Sequence, residues 1–203
     1  MSVRVKICGL TTADDARAAV DAGADFLGLN FHPASPRAVD MARAQAIAAV
    51  VQDVPLVGVF VDLPRAQVAA IAAAVPLALL QFHGRESPDD CRGWSLPVIK
   101  AIRAAPQPPP AEVAAAYATQ YILLDSAVAG QVGGTGVAVD LAQADGLDRQ
   151  RLFLAGGLRP ETVAAAVRTV RPFAVDVASG VESTPGRKDH GKLEAFIHSA
   201  KSV

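Results

Sequence analysis

The feature that most constrains this chain is an eightfold alternation of short apolar runs with alanine-rich amphipathic segments. Strand-like runs fall at residues 3–7, 26–31, 56–61, 78–82, 97–101, 121–125, 151–155 and 173–178. Helical periodicity follows at 13–22, with Thr11 or Thr12 as N-cap, and at 41–51, 65–74, 111–118, 161–170 and 192–200. A weaker helical segment is expected at 88–93, and a glycine-rich loop with a poorly marked helix follows the sixth strand. Parallel strands cannot be joined by tight turns and need crossovers, usually helices. Eight such units in 203 residues point to one α/β domain, a compact (β/α)8 TIM barrel spanning residues 1–203. An open doubly wound sheet would usually carry G-x-G-x-x-G after its first strand, whereas Cys8-Gly9-Leu10-Thr11 stands here.

Composition narrows the partners. Hydrophobic residues make up 51% and charged residues 19%, enough for a sizeable core. A net charge of −1 without basic or acidic blocks gives no electrostatic footprint for nucleic acid or membrane. Two isolated cysteines, Cys8 and Cys91, fit a reducing compartment better than a disulfide framework. Arg4 and Lys6 interrupt the apolar N-terminus, and no apolar run reaches the ~18 residues that span a bilayer. The expectation is a cytoplasmic protein. The prolines of residues 106–110 read as a rigid linker.

In a barrel of this kind, chemistry belongs at the C-terminal strand ends. The polar or reactive residues there are Cys8, Asn30, Asp62, Gln81 with His83, Lys100 with Arg103, Asp125, Gly156 with Gly157, and Ser179 with Gly180. Cys8 shares a strand face with Arg4 and Lys6, and a nearby cation favours the reactive thiolate. It reads either as a small buried hydrophobe or as a nucleophile or base. Asp125 ends an apolar strand, as a loop cap or as an acid whose pKa a desolvated mouth raises. Arg37 follows Ser35-Pro36 in a stiffened loop, and its fork suits a planar carboxylate. Gly156-Gly157 and Ser179-Gly180 follow strands seven and eight, whose loops commonly bind phosphate in barrels. Gly133-Gly134-Thr135-Gly136 is a third glycine cluster, open to loop or lid readings. Asp176 and Lys6 are charges inside apolar neighbouring strands and are expected to pair within the barrel. The four histidines are scattered without ligand spacing, so no metal is expected, and there is no P-loop.

Several segments, in order, resemble phosphoribosylanthranilate isomerase. They are Lys6-Ile7-Cys8-Gly9-Leu10-Thr11, Gly28-Leu29-Asn30-Phe31 with Ser35-Pro36-Arg37, Val57-Gly58-Val59-Phe60-Val61 and Leu80-Gln81-Phe82-His83-Gly84. They continue with Leu124-Asp125, Gly133-Gly134-Thr135-Gly136, Leu154-Ala155-Gly156-Gly157-Leu158, Val175-Asp176-Val177-Ala178-Ser179-Gly180-Val181-Glu182 and Pro185-Gly186-Arg187-Lys188-Asp189. The resemblance implies a cofactor-free Amadori rearrangement of N-(5-phosphoribosyl)anthranilate in tryptophan biosynthesis. It implies Cys8 as general base, Asp125 as general acid and Arg37 on the anthranilate carboxylate. It implies Gly156, Gly157, Ser179 and Gly180 on the sugar phosphate, with Gln81, His83 and Asp176 lining the site. The partner implied is a small phosphosugar, and the chain is expected to be a monomer or a homodimer. Departures from the family pattern occur at Asn30, at Ala178 and in Val139-Asp140-Leu141, and none touches the acid or the base.

Two rivals are weighed. A histidine-pathway isomerase would resemble a duplicated half-barrel with two catalytic aspartates, whereas strand one offers Cys8 and no half-chain repeat is evident. A non-catalytic phosphate-binding barrel would be indifferent to Cys8 and Asp125.

Overall fold

A computed structural model describes residues 2–51, 53–105, 107–125 and 141–203. Eight strands close into one parallel barrel in sequence order: β1 Arg4–Cys8, β2 Phe26–Asn30, β3 Leu56–Phe60, β4 Leu77–Phe82, β5 Val98–Arg103, β6 Tyr121–Asp125, β7 Leu152–Ala155 and β8 Ala174–Val177. β8 returns to β1 with Lys6 level with Asp176. Among the described residues six α-helices accompany them: α1 Ala13–Asp21, α2 Met41–Ala48, α3 Arg65–Ala74, α4 Pro110–Ala115, α5 Pro160–Val170 and α6 His190–Lys201. The expected barrel is present, and Thr12 rather than Thr11 caps α1 by accepting from Asp15 N at 3.2 Å.

Alternation along each strand divides two cores. Outward residues such as Ile7, Leu29, Leu80, Leu124 and Val175 pack against Ala16, Ile47, Val68, Val167 and Phe196 of the helices. Inward residues, among them Phe26, Val57, Leu79, Ile99, Leu123 and Phe153, fill the barrel. Phe26 and Phe153, from non-neighbouring strands, meet across it with ring centroids 5.5 Å apart, and Tyr121 stacks on Phe173 at 5.0 Å. Burying each such side chain contributes about 1.5–3 kcal/mol. The aromatic layer also plugs the N-terminal end, so an interior site can open only at the C-terminal mouth. Arg4 belongs to this lower end, with its guanidinium 4.6 Å from the Phe173 centroid. It is exposed and does not line the interior as Lys6 does.

Two further expectations are corrected. Residues 88–93 form turns, not a helix, because Ser87 and Asp90 bond each other's side chains and backbone, competing with helical bonds. Strand β5 runs on to Arg103 instead of ending at residue 101, because β6 extends alongside it as far as Asp125. After β6 the described residues show only short 3₁₀ turns, at Leu141–Ala144 and Arg149–Arg151. The cluster Gly133–Gly136 and residues 139–140 lie outside the described residues. A hairpin unmarked in the sequence reading, β9 Glu182–Thr184 and β10 Arg187–Lys188, intervenes between β8 and α6.

Candidate active site

The base end of the site is assembled from strand ends. Cys8 closes β1, directly across from Gly28 on β2. A Cβ at Gly28 would lie 2.8 Å from Cys8 Sγ and 3.2 Å from Lys6 Nζ, so the missing side chain makes the notch in which thiol and ammonium meet. Lys6 is fully buried, and its Nζ donates to Asp176 Oδ1 at 2.9 Å, the pairing expected from the sequence. Burial alone would lower the Lys6 pKa, but Asp176 and then Cys8 outweigh it and hold the ammonium charged. For Cys8, burial pushes the thiol up, and Lys6 is the largest opposing influence.

Arg37 reaches the same corner through a folded loop. Asn30 braces that loop, accepting from His32 N at 2.8 Å and donating to Ser35 Oγ at 3.2 Å, and Ser35 Oγ accepts from Arg37 N at 3.1 Å. The stem of Arg37 then crosses Gly9, whose Cβ would sit 2.5 Å from Arg37 Cδ and whose φ is +72°. Glycine is required there for both reasons.

One edge of the Arg37 fork is taken by Glu182, with Nε to Oε1 at 2.8 Å and Nη2 to Oε2 at 2.6 Å. Glu182 Oε1 also accepts from Lys188 Nζ at 3.1 Å. Lys188 in turn donates to the carbonyls of Cys8, at 2.7 Å, and Ala178, at 3.1 Å, stapling the ends of β1 and β8 together. Burial would raise the Glu182 pKa, but hydrogen bonding from Arg37, followed by the charge of Lys188, brings it below the usual range. Burial lowers Lys188, with Glu182 opposing.

A second cluster lies three strands away round the ring. Asp125 ends β6, and its Oδ2 is 3.5 Å from His83 Nε2. His83 Nδ1 is 2.8 Å from Gln81 Nε2. Val61, Asp62, Gly84, Arg103 and Tyr117 join His83 and Asp125 around a cavity of about 380 Å³ at this side of the mouth. Beneath its rim Lys100 points away from the barrel interior. It pairs with Glu86 at 2.7 Å, while Glu86 accepts from Asp62 N and Gly84 N at 2.8 and 2.9 Å. Lys100 therefore braces the loops, and it also lines the cavity with its charge paired to Glu86.

Gly156 and Gly157 both take positive φ, 94° and 68°, at the end of β7. Ser179 and Gly180 open a 3₁₀ turn after β8. The two loops are in contact, because a Cβ on Gly180 would come within bonding range of the Leu158 carbonyl. Sequence reading thus anticipated the strand-end positions. It missed Glu182 and Lys188 as a charge bridge, although both stand in quoted motifs. The shared alternation of Lys6 and Cys8 did place the cation on the face of the thiol, and the structure brings the two together.

The fold and the position of these groups define the class: a (β/α)8 TIM barrel with its polar machinery gathered on the C-terminal mouth. The family model described as N-(5'phosphoribosyl)anthranilate (PRA) isomerase matches residues 5–199. An N-(5'-phosphoribosyl)anthranilate isomerase of Pseudomonas fluorescens (strain Pf0-1) is 48% identical over 203 residues, covering 98% of this chain and 99% of the relative. The crystal structure of phosphoribosyl anthranilate isomerase from Thermotoga maritima superposes with a TM-score of 0.89 at 38% identity, over 99% of this chain and 100% of that one. A further structure of the enzyme, in complex with reduced 1-(o-carboxyphenylamino)-1-deoxyribulose 5-phosphate, gives 0.83 at 37% identity, over 99% of this chain and 100% of that one. The chain belongs to the N-(5'-phosphoribosyl)anthranilate isomerase family.

Proposed function

We infer that this barrel isomerises N-(5-phosphoribosyl)anthranilate to 1-(2-carboxyphenylamino)-1-deoxyribulose 5-phosphate, the Amadori step of tryptophan biosynthesis, by general acid–base catalysis. The observation that carries the assignment of roles is the Gly28 notch, where the Cys8 sulfur shares its space with a buried, charged Lys6. The family match over nearly the whole chain supports the reaction itself.

Asp125, protonated, donates to the furanose ring oxygen as its bond to C1 breaks, leaving a Schiff base between C1 and the anthranilate nitrogen. Cys8, as thiolate, takes the proton from C2, and the resulting enolamine ketonises. The sugar is oxidised at C2 and reduced at C1, so electrons balance within the substrate. A thiol raised by burial is neutral in the empty pocket. Positive charge developing on the Schiff base adds to that of Lys6 and favours the thiolate when it is needed. An acid and a base of different chemical type can hold opposite protonation states at one pH.

Arg37 holds the anthranilate carboxylate with the donors Glu182 leaves over; Nη1 makes no hydrogen bond among the described residues. Gly156, Gly157, Ser179 and Gly180 hold the phosphate through backbone N–H groups and a hydroxyl, where two adjacent loops meet without side chains in the way. Asp176 acts on the site through Lys6.

The test is turnover of freshly prepared phosphoribosylanthranilate, followed by loss of anthranilate fluorescence. Wild type is expected to react without added cofactor, and Cys8→Ser and Asp125→Asn to lose about 10²-fold or more in kcat. A folded wild type without turnover would refute the isomerase reading.

A further inference from the structure

We propose that Gln81 is a positioning residue that locks His83 in its Nε2–H tautomer and so keeps the proton of Asp125 available to the substrate. The inference deepens the isomerase reading and rests on it for the role of Asp125.

Gln81 is 1% exposed, and its strand neighbours in register are Val59 and Ile99. An aliphatic side chain would suit that packing better. The amide is kept at a cost, since Gln81 Oε1 is buried without a hydrogen-bond partner among the described residues. An orphaned buried acceptor costs about 1–3 kcal/mol. What the amide does make is one short bond, Nε2 to His83 Nδ1 at 2.8 Å. An amide nitrogen can only donate, so Nδ1 must accept through its lone pair. The ring proton of neutral His83 is thereby assigned to Nε2, the atom 3.5 Å from Asp125 Oδ2. That separation is long for a hydrogen bond, and such contacts commonly tighten when substrate closes over them.

The tautomer decides what His83 does to the acid. With a proton on Nε2 it can only donate, and it supports the carboxylate that forms as Asp125 releases its proton to the ring oxygen. With the opposite tautomer a bare Nε2 would face Asp125. Imidazole is a stronger base than a carboxylate and would take that proton itself. Fixing a ring through its other nitrogen is a general device for orienting histidine.

The experiment is ¹⁵N NMR of the full-length protein labelled at histidine, read beside steady-state kinetics for wild type, Gln81→Glu and Gln81→Met. Wild-type His83 is expected to show a protonated Nε2 and a bare Nδ1. In Gln81→Glu a carboxylate faces Nδ1 and should draw a proton onto it. There kcat should fall about tenfold or more while KM stays within about twofold. Gln81→Met should give a mixture of tautomers and an intermediate kcat. A wild-type His83 protonated on Nδ1, or a folded Gln81→Glu with unchanged kcat, would overturn the proposal. Absence of turnover in the wild type strikes at the isomerase reading instead, and the tautomer spectrum then decides the Gln81 claim alone.

Discussion

Gly28 and Cys8 face each other across the first two strands so closely that a methyl group on Gly28 would stand 2.8 Å from the sulfur and 3.1 Å from the Cys8 Cα. The nearer atom belongs to the proposed base and the farther to a backbone that cannot yield. Gly28→Ala is therefore expected to displace the thiol from Lys6. We expect kcat/KM to drop tenfold or more, with about 1–3 kcal/mol lost from overpacking. Thermal unfolding and steady-state kinetics measure both, and wild-type activity in the variant would show that the notch has no catalytic part.

Lys6 and Asp176 are a buried pair, and breaking one member costs more than removing both. Lys6→Met should destabilise by about 3–5 kcal/mol, because it leaves Asp176 buried and uncompensated. Lys6→Met combined with Asp176→Leu should recover much of that stability. Activity should not recover, because the cation beside Cys8 is still missing. Since Lys6 is the largest influence lowering the thiol, its removal should also move the pH midpoint of iodoacetamide alkylation at Cys8 upward. An unmoved midpoint would detach Lys6 from the thiol.

Arg37 is held by two parallel bonds to Glu182, a geometry that lysine cannot reproduce. Arg37→Lys should raise KM for the anthranilate-bearing substrate by about tenfold or more. A truncated sugar phosphate lacking the aromatic carboxylate should compete equally well against both proteins. Equal loss of affinity for both ligands would mean that Arg37 supports the pocket without contacting the carboxylate.

Acid should loosen the same corner. The Glu182 pKa is depressed in the folded protein, so the stability it contributes is present above its unfolded value and lost as pH falls through the lower folded value. The stability difference between wild type and Glu182→Gln should hence be constant near neutrality and shrink once pH drops below about 4. Calorimetric unfolding between pH 3 and 7 checks this, and a difference that grew on acidification would reverse the assignment.

Much of this protein was legible in one dimension. The alternation of periods placed eight strands because strand and helix burial repeat every 2 and 3.6 residues, and each repeat is local. The strand-end rule then pointed to Cys8, Asp125, His83 and the glycines after β7 and β8. The Lys6–Asp176 pair was readable because two charges in apolar strands can be buried only together. Residues 88–93 misled because side-chain bonds between Ser87 and Asp90 compete with helix formation, and propensity does not weigh such competition. The β9–β10 hairpin was hidden by its short strands.

The order of units, the closed barrel they imply and the strand ends that face its mouth were determined by the sequence alone, because each depends on short-range periodicity and on one topological rule. Only the tertiary structure decided who touches whom at that mouth. Glu182 lies 145 residues from Arg37, and Lys188 lies 180 from Cys8, to whose carbonyl it donates. Those contacts exist because the ring closes β8 onto β1, and ring closure sets side-chain distances that no local pattern records.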